Sequence, residues 1–184
     1  MKFVVAITGA SGAIYAQRLL DSLGEAGHVA DVVLSGHARE VIAEELGALR
    51  LPTNFCEYGE HDMQVPFASG SAIYDGMILV PCSMGTLARV AYGYSDSLIA
   101  RAADVFLKER RKLILVPRET PWNLVHARNI VTLIEAGATI IPAMPSFYGR
   151  PKTIVELADT VVARVLDHLG VTHHLAHRWK SDAK

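Results

Sequence analysis

The sequence predicts an α/β fold, a single doubly wound parallel sheet covered by helices on both faces and spanning residues 1–184. Two observations predict it. Short β-branched apolar runs alternate with helical periodicities from one end of the chain to the other. Those runs are nearly continuous and do not alternate with polar residues, as in strands buried on both faces. Repeated βα units of this kind give parallel pairing with right-handed crossovers.

Taken in order, Lys2–Thr8 reads as the first strand, and Gly9-Ala-Ser-Gly12 turns it into a helix. That helix carries Ala16, Leu19, Leu20 and Leu23 on one side, with Gly24 and Gly27 near its end. The second strand runs from Val29 to Ser35, and a helix follows from His37 to about Ala48. Residues 49–75 show no clear period and are rich in Pro, Gly and Ser, which reads as a functional or mobile loop. Gly76–Pro81 is the third strand, and Cys82-Ser-Met-Gly-Thr86 leads from it into a helix. Ser95-Asp-Ser97 offers a cap for the next helix, which runs to about Arg111. Lys112–Pro117 is the fourth strand, stopped by its proline. A helix over Asn123–Glu135, a strand over Ala138–Pro142 and a helix ending near Gly170 complete the series. Thr153-x-x-Glu156 has the form of a capping box for that last helix.

Composition narrows the class of function. Hydrophobic residues make up 51% and charged residues 20% of the chain, so apolar surface must be covered by helices or by other subunits. The last helix points to the second outcome. Ile154, Val155, Leu157, Ala158, Val161, Val162, Val165, Leu166 and Leu169 leave it almost no polar stripe, and its second side predicts contact with another copy. On this reading the helix and tail, about residues 153–184, pack on neighbouring subunits of a homo-oligomer. A net charge of −1 provides no basic field for nucleic acid or an anionic membrane. Cys56 and Cys82 form no framework and predict a reducing compartment. No apolar run approaches the ~20 residues of a membrane span, so the expected location is cytoplasmic.

Ligands of open parallel sheets bind beyond the carboxyl ends of the strands. After the first strand, Thr8-Gly-Ala-Ser-Gly12 offers small residues for close backbone approach and helix-opening amides for a phosphate. The turn is GxxG and not GxGxxG, and the second strand ends in Ser35 where a dinucleotide site would have an acid. Asp31 lies too early in that strand to serve, so a mononucleotide fits better. The third strand ends in Pro81-Cys-Ser-Met-Gly-Thr86, either a second anion site or an ordinary cap by Ser83. The fourth ends in Arg118-Glu119, which by itself reads as a solvated turn but falls beside the other two.

Other charged and nucleophilic residues each have a simpler reading of their own. Lys108-Glu-Arg-Arg111 reads most simply as a solvated helix end. Arg164 shares a helical face with Leu157 and Val161 and is expected to be buried, against a carboxylate across an interface or a substrate phosphate. His173, His174 and His177 have helical ligand spacing but sit in a polar tail with no carboxylate or cysteine set, so no metal site is expected. Cys82 opens a helix without an evident His partner and reads as a small buried side chain.

Together these segments resemble the UbiX-type flavin prenyltransferases. The resemblance runs over essentially the whole chain and is carried by Thr8-Gly-Ala-Ser-Gly-Ala13, Ala68-Ser-Gly-Ser71, Pro81–Thr86, Arg101-Ala-Ala-Asp104, Leu107–Arg111, Leu115–Glu119, Phe147-Tyr148 and Arg178-Trp179. It implies a flavodoxin-like or Rossmann-like domain assembled as a dodecamer. It also implies metal-independent transfer of a dimethylallyl group from dimethylallyl phosphate to N5 and C6 of reduced FMN. The prenylated FMN would then serve UbiD-like decarboxylases, including that of the ubiquinone pathway. Carried over by position, FMN is expected at Gly9, Ala10, Ser11, Ser35, Ser83, Met84, Gly85, Thr86 and Arg118. The prenyl phosphate is expected at Arg101, Lys108, Tyr148 and Arg164, some of them from neighbouring subunits, with Ser69 and Gly70 lining the same cavity. Glu119, aided by Ser11 and Glu45, is the expected acid/base group, and Trp179 an aromatic face toward the allyl group. Two rivals share the architecture: an FMN-dependent cysteinyl-peptide decarboxylase and a non-catalytic flavin-binding subunit of a decarboxylase complex. The first would need a histidine in the first helix, which is absent here. The second would have no use for the leaving-group cations.

Overall fold

In a computed structural model of the chain, residues 1–175 are described. Strands β1 (Lys2–Ile7), β2 (Val29–Leu34), β3 (Cys56–Gly59), β4 (Gly76–Cys82), β5 (Leu113–Pro117) and β6 (Thr139–Ile140) form one sheet, entirely parallel. Its order is β3-β2-β1-β4-β5-β6. The chain therefore reverses direction of travel between β1 and β4, and the crevice above those two strands is where such a fold places a ligand. Helices α1 (Ala13–Glu25), α2 (Gly36–Leu46), α3 (Met84–Ala91), α4 (Leu98–Lys108), α5 (Leu124–Glu135) and α6 (Ile154–Leu169) cover the sheet.

Alternating strand residues divide the interior in two. Phe3, Val5, Ile7, Val32, Ile78, Val80, Ile114 and Val116 face α1, α2 and α6, whose Leu19, Leu20, Ile42, Val162 and Leu166 complete that core. Val4, Ala6, Val33, Met77, Leu79, Leu113 and Leu115 face Leu87, Leu98, Phe106 and Leu133 of α3, α4 and α5. Both faces are dry, which is why the strands carry no polar alternation.

The structure departs from the sequence reading in four places. The irregular stretch contains β3 and a 3₁₀ turn at Pro66–Ala68, so the sheet has an edge strand beyond those expected. The last helix is partly wrapped by its own protomer: Val161, Val162, Val165, Leu166 and Leu169 are buried, and its exposed apolar side is confined to Ile154 and Val155. Its capping box is incomplete, because Thr153 accepts from the Glu156 amide while Glu156 accepts from Lys152 and not from the cap. A reciprocal box instead opens α5, where Asn123 and His126 cap each other's backbone. Asp31 is engaged as expected of a residue unavailable to a nucleotide: it accepts from the Tyr74 hydroxyl at 2.5 Å and pairs with Lys2 at 3.1 Å.

Candidate active site

A cleft of about 340 Å³ opens above β1 and β4, lined among others by Gly9, Ser35, Ser83, Thr86, Arg89 and Ser97. Three helices present their N-termini to it. Ser35 caps α2 by accepting from the Ala38 amide, Ser83 caps α3 by accepting from Thr86, and Ser97 caps α4 by accepting from Ala100. The ordinary-cap reading of Ser83 is thus correct, and it coexists with a place in the cleft. Each N-terminus carries partial positive charge, so their convergence makes the cleft receptive to an anion without a cluster of cations. The Ser83 amide donates to Thr8 Oγ1 at 2.8 Å, and Thr8 donates to the Pro81 carbonyl at 2.9 Å, which locks the two strand ends together.

Gly9 is required by the approach of α2. A Cβ there would lie 2.4 Å from the His37 Cβ, so any side chain would push α2 off the strand end. Ala10 is buried, and the Met84 side chain is buried in the core beside α4, leaving its backbone toward the turn. Gly85 sits on the same turn of α3, facing Arg89.

The first turn differs from the expectation in one respect. The amides of Gly12 and Ala13, which open α1, donate to the Glu45 carboxylate at 2.8–3.1 Å. A protein carboxylate from α2 thus occupies the anion position of α1. Glu60 accepts from the Gly36 amide that opens α2 and, through its carbonyl, from the Leu98 amide that opens α4, so the phosphate-receptive end is chiefly that of α3. Burial tends to raise the Glu45 carboxyl, but the Ser11 hydroxyl, the two amides and nearby Arg118 outweigh it and leave it below the usual carboxylate range. Arg118 reaches across β4: its Nε donates to the Ser11 carbonyl at 3.1 Å, and its amide to the Cys82 carbonyl. Ser11, Glu45 and Arg118 therefore form one group beyond the ends of β1 and β5, outside the residues that line the cleft, and Glu119 follows Arg118. Glu119 accepts from the Thr120 amide at 2.9 Å, and its carbonyl accepts from the Trp122 indole at 3.0 Å. Cys82 is fully buried and burial pushes its thiol up, as suits a packing residue.

The prenyl-phosphate candidates are not in this cleft. Arg101 donates to the Ala68 carbonyl at 3.1 Å and pairs with Asp104. Lys108 ends α4, some 16 Å along its axis from Ser97 at 1.5 Å per residue, and lies against Gly70 beside Glu109. Ser69 bonds Ser71 in the same loop. Arg111 is no solvated helix end: its guanidinium donates to the carbonyls of Gly70 and Ala72, holding the loop just before β4 begins. Ser69, Gly70 and Lys108 thus gather toward the edge where strands start, opposite this protomer's cleft. Arg164 is exposed and pairs with Asp167 on its own helix, on the other face of the sheet from α4. Tyr148 is 73% exposed in the loop before α6. Trp179, Arg178 and His177 lie outside the described residues. Contrary to the reading of a tail without carboxylates, His173 meets Asp167 at 3.1 Å. Among the described residues no three His, Cys, Asp or Glu side chains stand together to hold a metal ion.

Seven lining residues were missed, buried Ile99 of α4 among them. Glu60 and His61 follow β3, the unrecognised strand, and Glu60 accepts from the Gly36 amide at 3.0 Å. His37 stands just past a strand end and was legible by position. Arg89 and Asp96 pair at 3.1 Å only because α3 and α4 fold back on each other. Ser97 was read as a cap but not as a cleft residue, for the same reason.

An all-parallel sheet with helix N-termini converging on a mononucleotide-sized cleft at its switch point defines a nucleotide-binding α/β protein of the flavoprotein class. The Flavoprotein family profile matches residues 1–166. The flavin prenyltransferase UbiX of Methanocaldococcus jannaschii is 45% identical, over 97% of this chain and 98% of that one. The flavin prenyltransferase UbiX of Pseudomonas aeruginosa is 41% identical, over 97% and 93%. A crystal structure of a dodecameric FMN-dependent UbiX-like decarboxylase from Escherichia coli O157:H7 superposes with a TM-score of 0.92 at 42% identity, covering 97% and 99%. That of AnUbiX in complex with FMN and dimethylallyl pyrophosphate gives 0.91 at 41%, covering 97% and 96%. The chain belongs to the UbiX-type flavin prenyltransferase family. Peptidyl-cysteine decarboxylase EpiD, at 16% identity and a TM-score of 0.63, shares the fold alone.

Proposed function

We propose that this chain transfers a dimethylallyl group from dimethylallyl phosphate to N5 and C6 of reduced FMN, in the cytoplasm, and that a UbiD-like decarboxylase receives the product. The observation that carries the reading is the meeting of three serine-capped helix ends on one cleft, with Ser11 joined to Arg118, and Glu119 next to it, beyond the ends of β1 and β5 of the same sheet. These residues fit FMN. Ser35, Ser83, Thr86 and the helix ends would take its phosphate, the bare backbone of Gly9 and the methyl of Ala10 would admit its chain, and Arg118 would border its ring. When bound, reduced FMN supplies an electron-rich ring as the prenyl acceptor.

The remaining chemistry falls to this chain. Breaking the allylic C–O bond builds negative charge on the departing phosphate, which preplaced cations stabilise as a metal ion would. Arg101, Lys108 and Arg164 supply them, with Tyr148, Ser69 and Gly70 as further contacts and Trp179 as an aromatic face toward the allylic cation. Glu119 moves the proton, with Ser11 and Glu45 beside it. Because these cations lie away from the protomer's own cleft, we assign them to clefts of neighbouring copies in a homo-oligomer.

Anaerobic incubation with reduced FMN and dimethylallyl phosphate, followed by mass spectrometry of the released flavin, tests the reading; the expected product is a flavin heavier by one prenyl unit. Glu119→Gln is expected to keep FMN affinity and slow transfer by about 10²-fold or more. Unmodified flavin from the parent chain would sink the proposal, and full turnover by the variant would remove Glu119 from it.

A further inference from the structure

Arg164 projects from α6 with its side chain 62% exposed, so packing does not set its direction. Hydrogen bonds do. Its Nη1 donates to Asp167 Oδ2 at 2.9 Å. The other carboxylate oxygen, Oδ1, lies 3.1 Å from His173 Nε2. The Leu175 amide reaches His173 Nδ1 at 3.3 Å, and an amide can only donate. Nδ1 is therefore the acceptor, and Nε2 carries the proton toward Asp167. The imidazole is the fixed end of this chain of contacts. Its side chain is only 6% exposed, and it sits where the backbone leaves α6 through Gly170, at φ 78°, and re-enters the core at Val171.

We propose that Asp167 and His173 are positioning residues: the buried imidazole holds the carboxylate, and the carboxylate aims the Arg164 guanidinium out of the protomer at the prenyl phosphate bound by a neighbouring copy. The inference rests on the role given to Arg164 above. A long, exposed arginine loses much rotamer freedom on meeting a phosphate, and holding it beforehand lowers that cost. The guanidinium has five N–H donors in a planar fork, so one contact to Asp167 leaves it able to engage an oxyanion.

Steady-state transfer by the full chain, with reduced FMN saturating and dimethylallyl phosphate varied, tests this. Asp167→Asn and His173→Leu are each expected to raise KM for the prenyl phosphate about fivefold, the effect of one hydrogen bond. Their kcat, FMN affinity and oligomeric mass should stay near those of the parent. His173→Gln, which restores a donor near the ε position, should recover the parental KM, a rescue that a purely structural role would not give. Adding Asp167→Asn to Arg164→Ala should cost nothing further, since the two act as a unit. Parental KM in Asp167→Asn, set against a raised KM in Arg164→Ala, would overturn the inference, and that variant decides the matter even if His173→Leu fails to fold. Parental KM in Arg164→Ala would instead overturn the role of Arg164, and the inference with it.

Discussion

Glu45 decides what the first helix end can do. Without it, the Gly12 and Ala13 amides would be the anion site that a Gly-rich turn after the first strand suggests. With it, they are satisfied internally, and since Glu60 takes the opening amides of α2 and α4 the cleft relies chiefly on the end of α3. The same bonds make the carboxylate more acidic than usual. A carboxyl whose folded pKa lies below its unfolded value of about 4.3 stabilises the fold above that value, and the contribution is lost as pH falls through the folded pKa. Glu45→Gln is therefore expected to lower the denaturant midpoint at neutral pH and to flatten its decline below about pH 4.3; parallel acid limbs for parent and variant would contradict it. Residues of this scale were unevenly legible. Ser83 and Ser97 could be read because a cap announces itself within three residues, and Ser35 because it ends a strand. Glu45 reaches Gly12 across 33 residues, and its contact with the turn has no local signature. Arg164 was misplaced because a helical face can be drawn from spacing, but which flank of it docks depends on the partner.

At the scale of elements, the long strands and the helices were readable because burial on two faces gives β-branched runs that nothing else in the chain imitates. β3 was not. Cys56-Glu-Tyr-Gly59 lacks such a run, is exposed at its start, and forms because Asp31–Leu34 of β2 offer a free edge to pair with. α6 was found but its second side was assigned wholly to another copy, whereas much of it docks on α1. A bidentate pair joins those two helices: Arg18 Nε and Nη2 donate to the Asp159 carboxylate at 2.7 and 2.9 Å. The two side chains are 23% and 9% exposed, so each is costly without the other. Asp159→Ala, which strands Arg18, is expected to destabilise by about 2 kcal/mol, below the fully buried case because Arg18 keeps some solvent. An Arg18→Met/Asp159→Leu double variant should recover most of that. Equal losses in the two, measured by chemical denaturation, would show that packing and not the pair joins the helices.

On the proposed reading the chemistry of the whole molecule is carried in three separate places. The cleft and, after β5, Glu119 lie beyond the strand ends, Lys108 and the 68–72 loop toward the opposite edge, and Arg164 on the far face. Large apolar side chains are also left open, among them Leu124, Val131 and Ile134 of α5, Phe147 before α6, and Ile154 at its start, more than a solitary protomer ordinarily shows. The proposed assignment gives both facts one resolution, in which copies bury these surfaces and bring one chain's cations to another's cleft. The consequence is measurable without knowing the interface. Glu119→Gln, and Arg164→Ala at prenyl-phosphate concentrations well below its raised KM, are each expected to be nearly inactive alone. Co-expressed in equal amounts, they should form mixed assemblies in which a cleft with Glu119 meets a neighbour with Arg164 in about one pairing of four, by random mixing of copies in a symmetric oligomer. Prenyl transfer should then return to about a quarter of the parental rate. If both residues served the same protomer's cleft, no mixed assembly would contain an intact site, and activity would stay at the sum of the two variants.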